Sequence, residues 1–201
     1  FRKPSPLNGF DLFNYMALIV CARARDYAEI TFHKFADELE AKDQAGQYAF
    51  GAAENEKHRV TWEGIAVWTY LGATFKGLKN QGSVMTGSAY PGLWSLVYTP
   101  GDLESMAEAY TNVYINTCGS NRYEEFYKVV SNSKSDGIVL HLNRSCKLMG
   151  LLNNEGAEYV NAKMVVPFVS FDGDQTDPRV FTQAQYDTRV QALSEMMDNN
   201  N

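Results

Sequence analysis

From His58 to the carboxyl terminus, short apolar runs alternate with amphipathic segments at intervals of roughly 23 to 30 residues, and this spacing limits the fold more than any other feature. Candidate strands begin near Val60, Ser83, Val113, Gly137 and Val165. Strand-helix repeats of that length suit βαβ units. The expected architecture is therefore α/β, with a doubly wound, mostly parallel sheet of about five strands, Rossmann- or flavodoxin-like. Right-handed crossovers then place all strand-to-helix loops on one edge, the carboxyl edge, where ligands bind in open sheets of this kind.

Residues 1–57 read differently. After a Pro-rich start, Phe10, Phe13, Ala17 and Val20 fall on one helical face, and Ala28, Phe32, Phe35 and Leu39 repeat at helical spacing after Arg25-Asp26. This predicts a helix pair ending in the charged, glycine-containing stretch 41–56. The division is a helical segment over 1–57 and an α/β domain over 58–201. Thr99-Pro100 has the form of an N-cap with proline in the first turn. Thr182 to Gln185 has capping-box form ahead of the apolar face Tyr186, Val190, Leu193 and Met197.

Composition removes some function classes. With 45% hydrophobic and 21% charged residues and a formal net charge of -6, the chain is ordinary globular material without the basic surface that phosphate backbones require, so no nucleic acid is expected. The longest apolar run, residues 16–22, is far too short to span a membrane, and no membrane partner is expected. Three cysteines, at 21, 118 and 146, are too few and too odd in number for a disulfide framework, which points to a reducing, cytoplasmic compartment. The start at Phe1, without Met, reads as the carboxyl part of something longer.

Four segments should meet at the carboxyl edge: 62–68, 86–91, 141–147 and 172–178. The third is the most informative, because His141-Leu142-Asn143-Arg144-Ser145-Cys146-Lys147 puts a cysteine where the strand from Gly137 turns into a helix running from Lys147 to about Ala162. A thiolate at a helix N-terminus is stabilised and presented to the crevice. The same cysteine also reads as a packed thiol. Asn143, Arg144 and Ser145 are polar groups able to hydrogen-bond an anion or a cluster sulfide. Cys21 reads as a core thiol, and Cys118 as a strand-end core thiol or a second, weaker ligand near Cys146. Glu63 is a candidate base or a structural hydrogen-bonding group, and His141 a candidate base or a satisfied core histidine. Asp172 and Asp174 suit acid-base or metal work as well as they suit a turn. Trp62, with Trp68, Tyr90 and Trp94, suits either an apolar pocket wall or the core. No zinc spacing and no Gly-x-Gly-x-x-Gly fingerprint is present.

Taken together, Pro4 to Asp11, Trp62-Glu63-Gly64-Ile65, Thr86 to Pro91, His141 to Met149 and Phe171 to Arg179 resemble the 2-hydroxyacyl-CoA dehydratase family, which also includes benzoyl-CoA reductase subunits. The resemblance spans nearly the whole chain. Through Arg23 to Phe32 and Tyr114 to Cys118 it looks most like the carboxyl-terminal part of an alpha subunit acting on (R)-2-hydroxyglutaryl-CoA.

This resemblance implies an anaerobic radical lyase of amino acid fermentation. Such enzymes remove water from a 2-hydroxyacyl-CoA through a ketyl radical, using a [4Fe-4S] cluster held by three cysteines with one iron position open. Cys146 corresponds to one of those ligands, and the other two belong to an amino-terminal domain that these residues lack. A beta subunit and an ATP-dependent activator protein that delivers electrons are the implied partners; flavin binding stays open. The alternatives are an ATP-dependent benzoyl-CoA reductase-like subunit, and a non-catalytic α/β scaffold when the chain is isolated. Alone, the chain is expected to be inactive. Two departures stand out: Thr69 follows Trp68 where the family pattern has proline, and Gly150 with Asn154-Glu155-Gly156 makes the helix after Cys146 glycine-containing, at a cost of about 1 kcal/mol per interior glycine.

Overall fold

The computed structural model describes residues 2–200. Its elements in order are α1 (Gly9–Cys21), α2 (Asp26–Gln44), β1 (His58–Glu63), α3 (Leu71–Asn80), β2 (Ser83–Ser88), α4 (Ala89–Gly92), α5 (Leu103–Thr111), α6 (Gly119–Asn132), β3 (Gly137–Asn143), α7 (Lys147–Gly150), α8 (Asn153–Met164), β4 (Phe168–Gly173) and α9 (Gln183–Asn200). The sheet has four parallel strands in the order β2-β1-β3-β4. The expected α/β doubly wound class is therefore present with four strands rather than five.

The missing strand is the one expected near Val113. That segment lies in turns between α5 and α6, and Val113, Tyr114 and Ile115 pack as half-buried side chains beside Ile65, Leu93 and Met149. Three apolar residues in a row carry no period, so a loop folded onto a small apolar cluster looks the same in sequence as a short strand. The expected cap at Thr99-Pro100 is also displaced: Asp102 caps α5, its carboxylate accepting from the backbone N–H groups of Glu104 and Ser105.

Strand alternation sorts the core onto two faces. Val60, Trp62, Met85, Val139, Val169 and Phe171 point to one face, beneath α1, α3 and α9, where Phe10, Phe13, Tyr186, Val190 and Leu193 meet them. Ile138 and Leu140 point to the other, beneath α6 and α8, against Phe126, Val130, Ala157 and Val160. The predicted face of α9 is buried throughout at Tyr186, Val190, Leu193 and Met197. In α1 the buried positions are Gly9, Phe10, Phe13 and Met16, while Ala17 and Val20 face outward. α1 is thus part of the sheet's core. α2 stands further out, leaning on α1 through Tyr15 and Phe35, whose rings lie 4.4 Å apart.

Candidate functional site at the carboxyl edge

β1 lies between β2 and β3, so the chain leaves β1 in one direction and later crosses back. This makes the gap between the carboxyl ends of β1 and β3 the switch point of the sheet, the place where such folds hold ligands. The residues meeting there come from the four segments anticipated in the sequence. Gly64 follows β1 with φ +107°, and a Cβ on it would stand 2.6 Å from the carbonyl oxygen of His141, so only glycine lets β1 exit against β3. The next carbonyl, Ile65, accepts from the Nδ1–H of His141 at 2.5 Å and from the indole N–H of Trp62 at 3.4 Å.

The β3 and β4 loops are locked together by polar side chains. Asn143 is buried; its Oδ1 accepts from the backbone N–H of Ser145 at 3.2 Å and of Gln175 at 3.3 Å, and its Nδ2 donates to Gln175 Oε1. The hydroxyl of Ser145 donates to Asp174, whose other carboxylate oxygen accepts the backbone N–H groups of Thr176 and Asp177, both at 2.9 Å. These donors, the Ser145 hydroxyl first, hold the Asp174 carboxyl well below the usual range. Asn143, Ser145 and Asp174 therefore shape the edge. Arg144 and Asp172 instead face outward, 3.7 Å apart with side chains 62% and 50% exposed, and are the charged pair available to a ligand.

Trp62 and His141 are not at the rim. Both are wholly buried, Trp62 among Phe10, Phe13 and Phe171, and His141 stacked on Phe171 with ring centroids 5.1 Å apart. Burial pulls the imidazole down from its ordinary value, so it stays neutral and donates to Ile65.

Cys146 is half-buried directly before α7 and packs against the cluster of Ile65, Leu93 and Met149, which Tyr90, Trp94 and Tyr114 surround. The long helix expected after it is split: α7 has only four residues, and α8 starts anew at Asn153. Gly150 ends the short turn, in keeping with the low helix propensity of that stretch. Cys21 and Cys118 are both exposed, against the expectation of core thiols. With no strand near Val113, Cys118 instead opens α6, where the Ser120 hydroxyl at 3.3 Å lowers its thiol.

Among the described residues no three His, Cys, Asp or Glu side chains come together as a metal site. Cys146, a sheltered thiol at the switch-point edge, fits one position of a shared iron-sulfur site. These residues do not fit a whole one.

Behind Cys146 lies a buried polar group of which the sequence pattern pointed to Glu63 alone. Glu63, wholly buried at the end of β1, accepts from the Tyr114 hydroxyl at 2.8 Å and lies 3.7 Å from the Arg122 guanidinium. Arg122 donates to the carbonyls of Leu148 and Met149, each at 2.7 Å, and to Asn153 Oδ1 at 3.1 Å. A signal for Arg122 existed: it shares the α6 stripe with Phe126 and Val130, and a cation on an apolar stripe needs buried partners.

Burial pushes the Glu63 carboxyl up to about 7, opposed by the Tyr114 hydroxyl and the Arg122 charge. The folded protein then holds a proton that the unfolded chain releases between about pH 4.5 and 7. Stability from this group is fully present below about pH 4.5 and is lost as pH rises through about 7, a change on the order of 3 kcal/mol. Glu63→Gln cannot titrate. Its unfolding free energy relative to the parent is expected to rise across that window in denaturant titrations, and a flat difference would contradict this assignment.

The sequence profile of the family described as 2-hydroxyglutaryl-CoA dehydratase, D-component, matches residues 2–197. The chain is 62% identical over 200 residues to the lactoyl-CoA dehydratase subunit alpha of Anaerotignum propionicum, covering 98% of this chain and 47% of that protein. To the (R)-2-hydroxyglutaryl-CoA dehydratase subunit alpha of Acidaminococcus fermentans it is 39% identical over 198 residues, covering 98% of this chain and 41% of that one. To a benzoyl-CoA reductase subunit of Thauera aromatica the identity is 22% over 208 residues, covering 98% and 48%. The chain thus spans about half the length of the curated relatives it matches.

Proposed function

The chain belongs to the 2-hydroxyglutaryl-CoA dehydratase D-component family, and from that premise we propose that it forms the cysteine-bearing α/β part of a 2-hydroxyacyl-CoA dehydratase alpha subunit, a lyase component acting on a small 2-hydroxyacyl-CoA such as lactoyl-CoA. Identity to the lactoyl-CoA protein is well above that to the (R)-2-hydroxyglutaryl-CoA protein, which shifts the acyl chain expected from sequence toward a shorter one. The observation that carries the proposal is the half-buried thiol of Cys146 at the switch-point edge, with no group of three metal-ligating side chains assembled among the described residues. That is the arrangement expected of a part that contributes one ligand to a [4Fe-4S] cluster completed by other residues of the protein. When bound, such a cluster supplies one-electron chemistry and an open iron position for the substrate oxygen.

The chain's own residues have three tasks in this reading. Cys146 is a ligand, and Ile65, Leu93 and Met149 with the surrounding aromatic rings form the apolar cluster it packs against. Asn143, Ser145 and Asp174 hold the β3 and β4 loops in one arrangement, so that the turn carrying Cys146 starts from a fixed point. Arg144, exposed and only loosely tied to Asp172, is the cation that meets the acyl-CoA. A beta subunit and an electron-delivering, ATP-dependent activator complete the proposed assembly in the cytoplasm. No helix among the described residues is long and apolar enough to cross a membrane.

Anaerobic assay of the full-length protein with its beta subunit, activator, ATP and a one-electron reductant tests the proposal. Lactoyl-CoA is expected to be converted to the 2,3-unsaturated acyl-CoA with only catalytic consumption of reductant, because dehydration leaves the overall oxidation level unchanged. Reduction of benzoyl-CoA with stoichiometric electrons, or failure to dehydrate any 2-hydroxyacyl-CoA, would overturn it.

A further inference from the structure

α7 is one turn long, and the backbone hydrogen bonds that close it run from the N–H groups of Gly150 and Leu151 to the carbonyls of Cys146 and Lys147. The carbonyls of Leu148 and Met149 are the acceptors that a helix end leaves without a partner inside the helix. An isolated turn of this length has no stability of its own, since nucleation costs more than its few hydrogen bonds return. Something outside the turn has to hold it: Met149 is buried against Ile65 and Leu93, and Arg122 takes the two carbonyls that this packing leaves open. The guanidinium belongs to a residue that is 3% exposed. One arm reaches the Leu148 carbonyl, the other the Met149 carbonyl and Asn153 at the start of α8, so a single planar group spans the join between α7 and α8.

The guanidinium is itself fixed on the remaining sides. It lies 4.8 Å from the Tyr114 ring centroid, and Glu63 is 3.7 Å from its Nη2. Glu63 belongs to the central strand β1, which makes the connection from sheet to cysteine turn continuous: β1, Glu63, Arg122, α7. Lysine cannot reproduce this, because a point charge on a flexible stem does not span two carbonyls and an amide in fixed directions.

We infer that Arg122 is a positioning residue for Cys146, clamping the α7 turn through the Leu148 and Met149 carbonyls and thereby fixing where the thiol points. The inference deepens the reading of Cys146 as a cluster ligand and rests on it, but the clamp can be measured without a cluster. In the full-length, metal-free protein, the alkylation rate of Cys146 by iodoacetamide, followed by mass spectrometry of the labelled peptide, reads the order of the turn directly. Arg122→Met is expected to raise that rate about tenfold, the scale of losing one charge-assisted hydrogen bond. Arg122→Lys should restore part of the protection.

Val130→Ala, which truncates a wholly buried side chain of the same helix that packs in the cluster of Phe126, Ile138 and Leu140, supplies the control for general loosening: its Cys146 rate should stay at the parent value. In the reconstituted protein, Arg122→Met should also change the EPR line shape of the reduced cluster. A parental Cys146 rate in Arg122→Met, or an equal rise in Val130→Ala, overturns the clamp. If instead the rates behave as expected while Cys146→Ala keeps an unaltered cluster, the clamp stands and the ligand reading fails. Should Arg122→Met not fold, Arg122→Lys decides alone, and a parental rate in it overturns the inference.

Discussion

Cys146→Ala in the full-length protein is expected to leave the fold intact and the cluster absent. The thiol is half-buried, and replacing it with a methyl removes one atom from a small satellite cluster, so the loss of stability should stay within about 1 kcal/mol. Loss of a metal ligand is of another order. Changes in groups that merely orient a ligand cost roughly 10–100-fold in affinity or activity, so on the proposed reading of Cys146 as one of three thiolate ligands its removal should lower iron content to background and dehydration by more than about a hundredfold. Anaerobic iron and sulfide analysis with EPR checks this. Cys118→Ala and Cys21→Ala set the contrast, because both thiols are exposed and neither shares the apolar shelter of Cys146; they should keep a full cluster. An undiminished cluster in Cys146→Ala would remove the basis of the functional reading.

Residue patterns showed most of the scaffold and only part of the edge. β3 is a near-continuous apolar run of the kind a buried central parallel strand needs, whereas β1, β2 and β4 mix polar and apolar residues and are placed by the spacing of the repeat, β1 starting at His58 rather than Val60 and β4 at Phe168 rather than Val165. α9 was legible to the residue because its stripe repeats over a helix long enough to show a period. Residues 113–115 misled for the opposite reason: three apolar residues carry no period, and their packing against Ile65 and Leu93 is a tertiary choice invisible locally. The division of roles at the edge was equally hidden. Ser145 hydrogen-bonds to Asp174 and Asn143 to Gln175, partners 29 and 32 residues away in the chain, whereas Arg144 between them faces outward. Composition treats these side chains alike; only the register of β3 against β4 separates them.

The same register decides Trp62. A tryptophan at a strand end beside Glu63 suits a pocket wall as well as a core, and its placement turns on which face of β1 it occupies. Trp62 shares the face of Val60, while Glu63 looks across the sheet toward α6 and Arg122. With no exposed surface, its indole packs edge-on against Phe10 and Phe171, each 5.5 Å away, and donates to the Ile65 carbonyl. Trp62→Ala is therefore expected to destabilise the protein by about 3–5 kcal/mol through the cavity it leaves. Little of that comes from the lost hydrogen bond, because His141 Nδ1 still satisfies the Ile65 carbonyl. Trp62→Phe fills most of the same space and should cost far less while keeping KM for the acyl-CoA at its parental value. Denaturant titration of both variants, with KM measured for the one that folds, distinguishes a core role from a binding role. Parental stability in Trp62→Ala together with a raised KM in Trp62→Phe would move this side chain from the core to the substrate.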